Sequence, residues 1–124
     1  MQWLTVCNVA DLQPHSGVCA LIEKTHIAIF WMPGLNEADK MDTQIYATGN
    51  FDPIGKANVL SRGLIGDIND QPVVASPLYK QHFNLQTGVC LEDESVKIPV
   101  YAIRVENDNV QIDISSIQQD GAAL

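Results

Sequence analysis

The sequence predicts an all-β domain, a sandwich or small barrel of short antiparallel strands. Three observations predict it. Short apolar runs recur at close spacing between turn-forming residues. Helical periodicity is weak throughout. Val110, Ile112 and Ile114 alternate with Gln111, Asp113 and Ser115, the period of a half-buried strand.

In chain order, Asn8 is placed to cap a single turn running through Leu12, which Pro14 ends. Val18 to Glu23 (VCALIE) and His26 to Trp31 (HIAIFW) flank Lys24-Thr25 and predict a hairpin. Trp31 to Asp42 (WMPGLNEADKMD) carries Pro, Gly and acidic residues and reads as a surface loop. Thr43 to Thr48 is a third strand. Pro72 to Ser76 and Gln81 to Leu85 are short strands around a turn. Lys97 to Val105 is extended, with Tyr101, Ile103 and Val105 on one face, and Glu106 to Asn109 is the polar turn before the last strand. One domain is expected over 1–114, followed by a polar tail over 115–124 that frays from Gln118.

Charge and composition narrow the function. The chain has 124 residues, and a formal charge of -8 lacks the footprint of a nucleic-acid binder. Anionic membranes would repel it as well. There is no run of eighteen apolar residues for a membrane span, and the first residues lack the basic and apolar regions of a secretory signal. Cys7, Cys19 and Cys90 are odd in number and scattered, so no disulfide framework is expected; they read as small apolar residues of a cytoplasmic protein.

His15, His26 and His82 are far apart, with no spacing that makes a metal site. Ser16, Ser61 and Ser76 lack a nucleophile elbow. No Gly-rich dinucleotide fingerprint occurs. No catalytic, cofactor-binding or metal-binding residue is therefore expected. Glu92-Asp93-Glu94 reads as a solvated acidic turn, and Cys90 as a packed thiol.

The informative stretch is NFDPIGKANVLSRGLIGD, Asn50 to Asp67, followed by SPLYKQHFNLQTG, Ser76 to Gly88. Two Pro-containing loops, the second leading to an aromatic and a Thr-Gly pair, resemble the paired cluster loops of the Rieske iron–sulfur domain. In that family two thiolates and two imidazoles hold a two-iron cluster. The resemblance puts Asp52, Ile54, Ser76 and Tyr79 at the four ligand positions, and none is a thiolate or an imidazole. It implies a Rieske-like fold with its cluster site emptied. Ile54 and Leu78 are expected to fill the vacated space, because burying a large apolar side chain contributes about 1.5–3 kcal/mol against about 0.5–1.5 for a hydrogen bond. A cross-loop bond from Ser76 or Tyr79 is the lesser alternative, and Asp52 is expected to bond its own backbone and shape the turn.

The strings VCALI, IAIF, LSRGLIGD, VASPLYKQHF and GVCLEDE extend the likeness from about Trp3 to Ile114. They resemble the small subunits of assimilatory NAD(P)H-dependent nitrite reductases. That resemblance implies a cofactor-free, non-catalytic subunit in nitrate and nitrite assimilation. Its partner would be a large subunit carrying FAD, a [4Fe-4S] cluster and siroheme and reducing nitrite to ammonium. The alternative is a Rieske-like interaction module of another oxidoreductase complex. Lys56, Arg62, Lys80 and His82 gather in or beside the two loops of an otherwise acidic chain, and are candidate partner contacts. The competing reading is that they are ordinary solvated side chains.

Overall fold

The computed structural model describes residues 1–33 and 44–115. The expected surface loop before the third strand and the polar tail lie largely outside the described residues. The architecture is all-β, as expected, with antiparallel pairing between all strands.

β1 (Trp3–Asn8) has no counterpart among the expected strands; its apolar residues do not alternate cleanly, and a register shift between Thr5 and Cys7 interrupts its pairing. Asn8 caps the single turn Val9–Asp11, and the Asp11 side chain answers it in a capping box. β2 (Ser16–Ile22) and β3 (Thr25–Trp31) form the expected hairpin, but its turn is Glu23-Lys24, one residue earlier than the sequence suggests. Both residues are left-handed, at φ 48° and 71°, the geometry that matches strand twist. β4 (Ile45–Gly49) pairs with β3 on its other side.

β5 (Phe51–Asp52) and β6 (Ala57–Asn58) make a small ribbon. β7 (Leu64–Ile68), β8 (Gln71–Ala75) and β9 (His82–Asn84) form a three-stranded meander. The extended segment expected over Lys97–Val105 divides at Ala102. β10 (Val100–Tyr101) pairs with β4, whereas β11 (Ile103–Glu106) joins β12 (Asn109–Asp113) and β1. Tyr101, Ile103 and Val105 still pack on one core, so the shared face holds across the change of sheet.

β3 is the middle layer. Ile27 and Ile29 enter one core with Leu12, Ile45, Val110 and Ile112. Ala28 and Phe30 enter a second with Leu60, Val74, Phe83 and Cys90. A strand buried on both faces reads as an unbroken apolar run, and IAIF is such a run. Gly88, the Gly of the Thr-Gly pair, sits at φ 80° where a Cβ would collide with the Ile98 carbonyl oxygen, so glycine is required there. Ile54 of the first Pro-containing loop packs against the second core.

Candidate functional site

The two loops are built alike. Each opens with a buried polar residue followed by proline: Asp52-Pro53 and Ser76-Pro77. In the first, Asp52 Oδ1 accepts the Ile54 N–H at 2.8 Å, and the Asp52 carbonyl accepts the Lys56 N–H at 2.7 Å. In the second, Ser76 Oγ accepts the Leu78 N–H at 3.2 Å, and the Ser76 carbonyl accepts the Lys80 N–H at 3.0 Å. Each loop ends on a left-handed lysine, Lys56 at φ 59° and Lys80 at φ 64°. A short acceptor side chain that takes the N–H two residues on is the reason Asp and Ser favour such turns.

The two openings meet. Ser76 Oγ donates to Asp52 Oδ2, and the two residues are 1% and 0% exposed. The carboxylate thus has one oxygen on its own loop and one on the neighbouring loop. Gly55 permits this closeness, because a Cβ there would overlap Leu78 Cδ1 and lie 2.9 Å from Asp52 Oδ2.

These contacts revise the expectation about the loop base. Leu78 is 45% exposed and lies over Gly55 rather than filling a buried space. Ile54 is half-buried against the second core. The buried groups at the base are Asp52 and Ser76, satisfied by each other and by loop N–H groups. Tyr79 is 64% exposed, so the cross-loop bond belongs to Ser76 alone of the two hydroxyls considered. Asp52 bonds its own backbone, as expected, and the neighbouring loop in addition. Apolar burial contributes more per side chain, but a buried carboxylate with both oxygens paired avoids the cost of an unsatisfied polar group.

The four positions that resemblance assigns to cluster ligands do not fit a two-iron cluster. Such clusters need thiolates or imidazoles. Asp52 and Ser76 are committed to each other, Ile54 has no donor atom, and Tyr79 is largely exposed to solvent. The cysteines lie elsewhere: Cys90 is in the second core, and Cys7 and Cys19 line a hollow between β1 and β2. Burial pushes the Cys7 thiol up, and Asp11 adds to it. Burial also pushes Cys19 up, despite an opposing backbone bond from Ile27. Among the described residues, no group of three or more His, Cys, Asp and Glu could hold a metal ion.

The cationic residues are brought together in part. Asn50 is 2% exposed; its carbonyl accepts the Leu60 N–H at 3.1 Å, and its side chain the Ser61 N–H at 2.7 Å. That fixes the turn Leu60–Arg62, with Leu60 anchored in the core and Arg62 exposed. Arg62, Lys80 and His82 line one hollow of about 320 Å³ with Ser76 and Pro77. Lys56 lies on the other loop, outside that lining.

His82 is less free than its sequence position implies. Glu92 accepts its backbone N–H at 2.7 Å and sits 2.7 Å from its ring Nδ1. Burial alone would raise the Glu92 carboxyl, but the bonds from His82 outweigh it and hold the group below the usual range. The run Glu92 to Glu94 is therefore not merely a solvated turn: Glu92 fixes His82, and Asp93 accepts from the Ser95 hydroxyl at 2.6 Å. The sequence reading misses Glu92, Gly55 and Asn50. The first two carry a legible signal, the acidic run after Cys90 and the parallel strings DPIGK and SPLYK.

Antiparallel sheets packed around two cores on opposite faces of one central strand, with two Pro-containing loops joined at their bases, define a Rieske-type domain. The chain belongs to the Rieske-like [2Fe-2S] domain family, whose model matches residues 2–113, and within it to the family of nitrite reductase small subunits. It is 40% identical to the nitrite reductase (NADH) small subunit of Escherichia coli (strain K12) over 111 residues, 90% of this chain and 96% of that protein. The solution structure of a nitrite reductase [NAD(P)H] small subunit from Erwinia carotovora superposes with a TM-score of 0.71 at 46% identity, covering 91% of this chain and 82% of that one. The chain is also 33% identical over 110 residues to the nitrite reductase [NAD(P)H] large subunit of Klebsiella oxytoca, matching 89% of this chain but 11% of that protein.

Proposed function

We propose that this chain is a non-catalytic small subunit of a nitrite reductase complex, working in the cytoplasm on nitrite reduction to ammonium with NAD(P)H. The observation that carries the reading is the Klebsiella match. A domain 33% identical to this chain forms about a tenth of a nitrite reductase large subunit there, 11% of its length. A domain that is joined to the large subunit in one organism and separate in another is expected to dock on it in both. The residues at the loop bases support a non-catalytic role, since Asp52 and Ser76 are committed to each other.

On this reading the FAD, [4Fe-4S] cluster and siroheme belong to the large subunit, and this chain stabilises or positions that subunit by binding its folded form. The docking face includes Lys56, Arg62 and Lys80, with His82 held in place by Glu92. Residues 1–114 act as the docking domain and 115–124 as its tail.

The test is a visible absorption spectrum of what co-purifies with the tagged chain from its native host. Siroheme and flavin bands in the eluate, absent from the chain purified alone, are the expected result. A colourless eluate would overturn the reading in favour of an interaction module of another complex. Iron–sulfur bands from the isolated chain would overturn the assignment of an emptied site.

A further inference from the structure

A second hollow lies beside the first loop. It has a volume of about 410 Å³ and is lined by Lys24, His26, Phe51, Pro53, Lys97 and Tyr101, among others. None of its lining residues carries a carboxylate, in a chain whose formal charge is -8. The hollow lined by Arg62 and Lys80 is acid-free in the same way. Three other hollows among the described residues have the opposite character. Each holds one carboxylate, Asp11, Glu94 or Asp67, and no Lys or Arg.

Position reinforces charge. Phe51 and Pro53 flank Asp52, which is tied to Ser76, and Ser76 lines the other acid-free hollow. The two cationic hollows therefore adjoin the two partners of one buried hydrogen bond. Phe51 is 47% exposed and gives the second hollow an aromatic wall, which it shares with Lys24 of the tight β2–β3 turn.

We infer that this hollow is a second docking point, and that its occupant is an acidic segment of the partner subunit carrying an apolar side chain. The inference rests on the reading of this chain as a subunit. Carboxylates would sit against Lys24 and Lys97, and the apolar side chain against Phe51. A few buried anchor side chains, aromatic ones prominent among them, carry most of the binding energy of an interface. Complementary charge across a rim governs association rate and salt dependence.

The test titrates the large subunit with the wild-type chain, K24E/K97E and F51A, at low and moderate salt. Wild-type binding is expected to weaken with salt. K24E/K97E is expected to weaken binding by about tenfold or more at low salt and to flatten the salt dependence. F51A is expected to weaken binding while keeping the salt dependence of the wild type. All three positions have side chains at the surface hollow, and thermal unfolding of each free variant confirms that it folds. Wild-type binding with K24E/K97E unchanged in affinity and salt response would overturn this inference alone. No wild-type binding at all would overturn it together with the subunit reading.

Discussion

Asp52 and Ser76, 24 residues apart, share one buried hydrogen bond that joins two loops of matching construction. Each residue also accepts an N–H from two positions further along its own loop, so neither polar group is left unpaired. Removing one partner strands the other. Asp52→Ala is expected to cost about 2–4 kcal/mol, since it leaves the Ser76 hydroxyl and the Ile54 N–H without an acceptor. Ser76→Ala is expected to cost about 2–3 kcal/mol by leaving a carboxylate oxygen unpaired. The double variant should cost less than the sum, because the stranded group is then gone. Urea unfolding of the four proteins measures this. Strict additivity would mean that the two loops are not coupled through this bond.

The same pair marks how far the sequence can be read. The strings DPIGK and SPLYK are visible as loops, and the alternation VQID gives β12 its inward and outward faces. The contact between the loops is not visible. Hydrogen bonding across 24 residues depends on strand pairing that no local pattern encodes, so apolar filling by Ile54 and Leu78 is the natural expectation. β1 escapes for a related reason: its faces are set by a bulge and by pairing with the far end of the chain. The division of the extended segment at Ala102 likewise depends on two sheets competing for one strand.

Gly55 is expected to resist any side chain. An alanine there meets Leu78 Cδ1 from the second loop and the Asp52 carboxylate from the first. Gly55→Ala should cost about 1–3 kcal/mol by overpacking. Leu78 is 45% exposed, so truncating it should cost little and should return part of the loss. G55A/L78A more stable than G55A in thermal unfolding is the expected outcome. No rescue would place the strain against Asp52 instead.

Glu92 makes the stability of the second loop depend on acid. Burial would raise its carboxyl, yet the bonds from His82 prevail and hold it below the ordinary value of 4.5. A depressed carboxylate contributes stability above its unfolded value and loses it as pH falls through its folded value. The stability difference between wild type and Glu92→Gln should therefore shrink as the pH falls below about 5. Urea unfolding of both proteins across that range tests it. A difference that persists unchanged into acid would show that the ionised form contributes nothing.

The β2–β3 turn carries a conformational cost that the sequence does not relieve. Glu23 and Lys24 both occupy the left-handed region, at φ 48° and 71°, where a Cβ crowds the following carbonyl; glycine has none, and asparagine offsets the cost by local hydrogen bonding. The comparable turns at Asn69-Asp70 and Asn107-Asp108 use residues suited to that region, with φ between 52° and 65°. Glu23→Asn should therefore stabilise the chain by about 0.5–1 kcal/mol, by easing a native strain without changing a contact in either core. Lys24 is left in place because its side chain lines the hollow beside the first loop. The gain should appear as a higher midpoint in urea with an unchanged slope, since the surface exposed on unfolding is the same. A lowered midpoint would show that the Glu23 side chain holds the turn by a contact worth more than the strain its conformation costs.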